Sequence, residues 1–355
     1  MVAALKLALE ASFVTLPRNR LPLRVSRFAA LGFWLIDCTH RRRIVSRAMS
    51  TGVIDLHTHT THSDGSASPE ELIGAARLNG ARAVAITDHD TVGSFASARA
   101  ASERFAIEFV PGIEISAEFS SGTMHILGYC VDETSERLTD KLDELKQARE
   151  RRNPRIASRL QSLGLDIGYD EVAQLAGNEI VGRPHFARLM VEKGYVGSIQ
   201  EAFDRFLKKG AAAYVAKARL SPADSIALIR AAGGVAVLAH PYQLKLSSFE
   251  QVDELVAQLA EFGLDGIEAI YSRHSPAERV FYSEIAARHN LLVTGGSDYH
   301  GSYKPDISLV TGLGDLEVPY ALLEAVKARA ASRARPLLVF DAEQAFGPGE
   351  ADRQT

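Results

Sequence analysis

From Val53 onward, apolar and polar positions fall into a repeating rhythm of short β-like runs and longer helical runs. Val53-Ile54, Val84 to Ile86, Phe109 to Ile115, Thr123 to Tyr129, Val235 to Ala239, Gly266 to Tyr271 and Leu291 to Gly295 read as strands. Ser68-Pro69-Glu70-Glu71 predicts a helix start, with Ser at the N-cap, Pro in the first turn and acids near the positive end. That helix stops near Asn79-Gly80. Helices are also predicted over Ser94 to Phe105, from Ser221-Pro222, and over Phe249 to Phe262, Ser275 to His289 and Tyr320 to Ala331. Such alternation implies an α/β fold with a mainly parallel sheet. The rhythm fails between about Asp132 and Leu220, where the chain is charged, favours helix and lacks β-branched runs. Leu138 to Leu163 predicts a helix broken near Asn153-Pro154. Glu171 to Leu175, His185 to Glu192 and Ile199 to Leu207 predict three more. The expected organisation is a barrel from 51–131 and 221–345, a helical insertion at 132–220, a tail at 346–355 and an extension at 1–50.

The ends of the predicted strands carry the chemistry. Asp55-Leu56-His57-Thr58-His59 puts two imidazoles at i and i+2, which face the same side of an extended segment. Asp64 follows in the turn Ser63-Asp64-Gly65. Later apolar runs lead into Asp88-His89-Asp90, Glu114, His125, His240-Pro241 and Ser297-Asp298-Tyr299-His300. Ligand-type residues gathered at strand ends describe a metal site on the rim of a barrel.

Charge changes the picture in one place. The chain carries a formal −4, yet residues 1–50 hold nine basic residues against Glu10 and Asp37, a net +7 that leaves −11 on the rest. An acidic body does not fit a passive nucleic-acid binder, so no stable nucleic-acid complex is expected. Two cysteines, Cys38 and Cys130, are too few for a disulfide framework and imply a reducing, cytoplasmic setting. No run of eighteen apolar residues predicts a membrane span. Residues 1–50 are either a targeting segment or, as preferred here, an upstream start with Met49 as the initiator. A chain beginning at Met49 is therefore expected to match the full chain in melting temperature and turnover; a large drop in either would mean that the extension packs on the barrel.

Seven elements occur in order: Asp55 to His59, Ser63 to Gly65, Thr87 to Asp90, Pro111 to Glu114, His125, Ala239 to Pro241, and Ser297 to His300. On these elements the chain strongly resembles the PHP (polymerase and histidinol phosphatase) superfamily. That resemblance implies a distorted (β/α)7 barrel with metals at the C-terminal strand ends. It implies two to three divalent ions. His57, His59, Glu114 and Asp298 would hold one. Glu114 would bridge to a second, completed by His125 and His240. Asp64, His89 and His300 would hold a third. Imidazole mixed with carboxylate suits Mn²⁺ first, with Fe²⁺ or Zn²⁺ compatible. The insertion and its Gly182-Arg183-Pro184-His185 resemble the branch of 3′,5′-nucleoside bisphosphate phosphatases and 5′-3′ exoribonucleases.

The expected reaction is hydrolysis of nucleotide or short-RNA phosphate esters, with a hydroxide held between two metals attacking phosphorus in line. Glu114, Asp298, His300 and Arg183 are the expected catalytic groups. Arg183, His185, Arg273 and His274 are the expected substrate contacts, Arg183 by forking onto a phosphate at the barrel mouth. Two rivals are a histidinol-phosphate phosphatase and a PHP module that only binds metal. Among the remaining candidates, His62 is expected to face solvent, His289 to cap a helix, and Asp88 and Asp90 to hold the loop around His89. Asp55 is expected to orient a metal histidine, and Arg149 to Arg152 to form a solvated helix face that could also steer substrate.

Overall fold

The computed structural model describes residues 52–177 and 181–334. The extension at 1–50, the tail and residues 335–345 of the expected barrel lie outside them. Seven strands form one sheet in chain order: β1 Val53–Asp55, β2 Ala81–Ile86, β3 Glu108–Ala117, β4 Met124–Tyr129, β5 Val235–Leu238, β6 Gly266–Tyr271 and β7 Leu292–Gly296. Neighbours run parallel except at β4, which is antiparallel to both β3 and β5. The ends of the sheet approach each other. Leu56 N–H donates to the Gly295 carbonyl, and Asp298 N–H to that of His57. The barrel is nearly closed. Gly296 permits the approach, because a Cβ there would lie 2.4 Å from the backbone nitrogen of His57.

Side-chain alternation sorts the strands into two faces. Val235, Val237 and Ala239 share an interior cluster with Ile54, Leu56, Ala83, Ala85 and Leu127. Ala236 and Leu238 belong to an outer cluster under the helices. The outer helices are α1 Pro69–Leu78, α2 Phe95–Phe105, α3 Glu136–Ser162, α7 Pro222–Ala231, α8 Phe249–Glu261 and α9 Pro276–Arg288. Tyr320, Leu323 and Val326 on α10, Tyr320–Ala334, pack on the interior cluster. The predicted start of α1 is met by a full capping box between Ser68 and Glu71.

The insertion comprises the second half of α3, α4 Tyr169–Ala176, α5 Arg183–Glu192, the short α6 Ile199–Ala202 with a π turn after it, and a strap to Leu220. It has its own apolar cluster, including Ile156, Leu160, Phe186, Met190 and Val215. The expected break at Asn153-Pro154 does not occur, and α3 runs through Pro154. An interior proline costs about 3 kcal/mol. Burial on both sides outweighs it: Leu138, Leu142 and Leu145 pack on the barrel, while Ile156, Ala157 and Leu160 pack in the insertion. The helix is therefore shared by both bodies rather than beginning a separate one. The expected solvated face also needs correcting at Arg152, which is buried and donates from Nε to the Val215 carbonyl. Among the described residues, no helix is long and apolar enough to cross a membrane.

Candidate metal centre

Strand ends at one rim bring the nine predicted ligands together. His57 and His59 follow β1, Glu114 lies on β3, His125 on β4, His240 just after β5, and Asp298 and His300 just after β7. The i, i+2 expectation holds, since both Nε2 atoms converge on Glu114 Oε2, at 3.2 and 3.1 Å. They also face Asp298 Oδ1, at 3.6 and 3.4 Å. His89 Nδ1 is 3.3 Å from the same Glu114 oxygen. The other oxygen, Oε1, lies 2.7 Å from His125 Nδ1 and 2.9 Å from His240 Nε2. One carboxylate thus divides its two oxygens between two groups of imidazoles, the geometry a bridging ligand needs. Asp64, His89, His300 and His59 form a further group whose donor atoms all lie within 4.8 Å of one another.

The donor atoms behave as a metal site should. His57 Nε2, His59 Nε2, His89 Nδ1 and Glu114 Oε2 are buried with no hydrogen-bond partner. Leaving such a group unpaired costs about 1–3 kcal/mol, and a divalent cation bound to nitrogen and oxygen would remove that cost. Burial opposes charge on Glu114, but the surrounding His125, His89 and His57 outweigh it and hold the carboxyl well below its ordinary range. Burial also opposes charge on His59, yet Asp298, Glu114 and Asp64 raise it to about 10. Burial wins at His89, which falls to about 3. Without a cation the carboxylates draw protons onto some of the imidazoles; divalent ions provide the same charge balance. With imidazole and carboxylate donors and no thiolate, the set suits Mn²⁺, Fe²⁺ or Zn²⁺.

The supports are specific. Asp88 accepts from Thr60 N–H and from the Thr60 and Ser63 hydroxyls. Asp90 accepts from Ser116 N–H and pairs with Lys217 at 3.0 Å. Asp90, His240 and Asp298 all adopt positive φ. Such strain persists where the surroundings over-determine it, often at active sites. Asp55 departs from expectation. Its carboxylate accepts backbone N–H bonds from His57, Ser297 and Val310 rather than touching an imidazole. Glu268 touches the imidazole instead, accepting from His57 Nδ1 at 2.9 Å. Tyr271 and Lys304 both donate to Asp298 Oδ2, at 2.9 and 2.8 Å. These three residues were missed. Glu268 alone left a signal, as a charge inside the apolar run Gly266–Tyr271.

A cavity of about 620 Å³ opens beside the cluster. His89, Asp90 and the exposed His62 line its barrel side. Asn153 and Lys146 of α3, with Tyr169 and Val181, line its insertion side. Arg183 stands two residues beyond Val181, at the start of α5. Its guanidinium donates to the Leu207 carbonyl at 3.0 Å and lies over the rings of Phe203 and Tyr214. Burial and the like charge of Arg219 ease it below the ordinary guanidinium range. Among the described residues no carboxylate pairs with it. Arg219 Nε is buried without a partner. His185 accepts the Gly182 N–H through Nδ1 and so caps α5. The other two expected substrate contacts do not join the cluster. Arg273 pairs with Asp306 at 2.6 Å. His274 is buried against Tyr271 and Tyr282, donates to the Ala269 carbonyl, and is pushed down to about 4 by that burial. His289 ends α9 as expected, and pairs with Asp253.

Comparison with known proteins agrees with this geometry. The PHP domain family matches residues 55–267. The 5′-3′ exoribonuclease Rnm of Escherichia coli is 36% identical over 250 residues, 70% of this chain and 85% of that protein. The 3′,5′-nucleoside bisphosphate phosphatase of Chromobacterium violaceum is 33% identical over 248 residues, covering 70% and 87%. A crystal structure from Bifidobacterium adolescentis, described as a metal-dependent phosphoesterase, superposes with a TM-score of 0.64. It is 33% identical and covers 78% of this chain and 96% of its own.

Proposed function

The chain belongs to the PHP domain family, and from that premise we propose that it is a phosphoric ester hydrolase acting on nucleotides. Its substrates are 3′,5′-nucleoside bisphosphates, short RNA trimmed from the 5′ end, or both. The observation that carries the proposal is the Glu114-centred cluster beside a cleft that His89 and Asp90 share with Lys146 and Tyr169. The cleft volume lies within the ~300–1,000 Å³ of small-molecule sites. The activities named for the relatives in Escherichia coli and Chromobacterium violaceum support the substrate class.

His57, His59, Glu114 and Asp298 would hold one ion, Glu114, His125 and His240 a second, and Asp64, His89 and His300 a third. Mn²⁺ is the proposed metal. When bound, divalent ions supply a nucleophile at neutral pH and neutralise charge on phosphoryl oxygens. The protein's part is orientation and charge. Lys304 and Tyr271 fix Asp298 through one oxygen, leaving Oδ1 toward His57 and His59. Lys217 holds Asp90 beside the cleft. Arg183 and Arg219, in the insertion, would supply positive charge to a second phosphate bound away from the reacting one.

Assays of the Mn²⁺-loaded protein on 3′,5′-bisphosphoadenosine, a 5′-phosphorylated RNA oligomer and histidinol phosphate test this. Phosphate release from the first or mononucleotides from the second is the expected result. Turnover of histidinol phosphate alone would replace the nucleotide reading, and turnover of none would leave only a metal-binding module.

A further inference from the structure

Glu268 is a fully buried carboxylate on β6. A hydrophobic residue at such a place is often neutral or stabilising compared with a buried charge, so its contacts matter. Oε1 accepts from His57 Nδ1 at 2.9 Å, and Oε2 accepts the main-chain N–H of His240 at 2.8 Å. Both donors belong to predicted metal ligands, and these ligands flank Glu114 on opposite sides. His57 Nε2 faces Glu114 Oε2, while His240 Nε2 faces Glu114 Oε1. His240 also carries φ 25° and ψ 68°, a sparsely populated conformation for a residue with a Cβ.

We propose that Glu268 is a positioning residue that ties together the two metal positions sharing Glu114. An ionised carboxylate only accepts hydrogen bonds. It therefore holds the proton of His57 on Nδ1 and leaves the Nε2 lone pair for a cation. Its second oxygen satisfies the buried amide of His240 and so keeps that strained backbone aimed at Glu114. One side chain thus sets the tautomer of a ligand on one side and the backbone of a ligand on the other. The inference rests on the reading of the cluster as a metal centre.

The chemistry selects the test. Glutamine is nearly isosteric but offers one acceptor and one donor, so it cannot accept from both N–H groups. In Glu268→Gln, Mn²⁺ titration followed by electron paramagnetic resonance should show binding weakened about tenfold to a hundredfold, at two positions rather than one. Nitrogen-15 NMR of the metal-free protein should show the His57 Nδ1–H signal shifted or lost. The metal-free melting temperature should fall only slightly, by the loss of one buried hydrogen bond, with the fold kept. Unchanged Mn²⁺ binding with an unchanged His57 signal would overturn the proposal. So would a lowered metal-free melting temperature with normal binding by the folded fraction, which would make Glu268 structural only. If the glutamine variant does not fold, Glu268→Asp carries the same readouts. It keeps the charge but is one methylene too short to reach both donors, and binding equal to the unmodified chain would reject the role. Failure of the unmodified protein to bind Mn²⁺ would strike the metal-centre reading itself, a distinct result.

Discussion

Glu114→Gln is expected to lose more than one equivalent of metal and nearly all turnover. Two groups of imidazoles meet on this one side chain, Oε1 facing His125 and His240, and Oε2 facing His57, His59 and His89. The amide keeps the shape but loses the charge, and only one of its two ends can accept. Removing one partner from a buried ionic group costs about 3–5 kcal/mol. At 1.36 kcal/mol per factor of ten, turnover should fall on the order of 10² to 10⁴-fold. Chelation of the unmodified protein should abolish activity, and added Mn²⁺ should restore it there but not in the variant. Elemental analysis checks the structural half of the expectation. A full metal complement in Glu114→Gln would reject the bridging role.

Arg183→Ala should lower kcat/KM on 3′,5′-bisphosphoadenosine by roughly tenfold to a few hundredfold, because charge-assisted contacts to an anion are worth about 1.5–3 kcal/mol. Its present contacts are a neutral carbonyl and two ring faces, which a phosphate can replace at small cost. The same variant should hardly change turnover of p-nitrophenyl phosphate, which has no second anion. Arg219→Ala should follow the same pattern more weakly. Loss of packing over Phe203 and Tyr214 is a separate effect, and it would appear in the melting temperature. Equal losses on both substrates would assign Arg183 to the reacting phosphate or to the fold, and would remove the second-phosphate site.

The chain by itself determined the strand and helix rhythm, the helical stretch between β4 and β5, and which histidines and carboxylates gather at one rim. These features are local. Alternation of apolar positions predicts strands, and a histidine or carboxylate at the end of an apolar run announces itself within five residues. The i, i+2 pair His57 and His59 converges as its spacing requires. Tertiary structure decided what depends on distant partners. Pro154 reads locally as a break, but apolar residues on both sides of it are buried in two different cores. Asp55 sits in the ligand motif yet binds backbone amides from three segments. Glu268 lies 211 positions from His57 and still orients it. Tyr271 and Lys304 reach Asp298 only because β6 and β7 end at the same rim. Arg273 and His274 follow a strand like the predicted ligands, but one turns to Asp306 and the other is buried among aromatic rings. Sequence periodicity states which face of its own element a side chain occupies. Which other side chain it meets is decided by how the barrel closes.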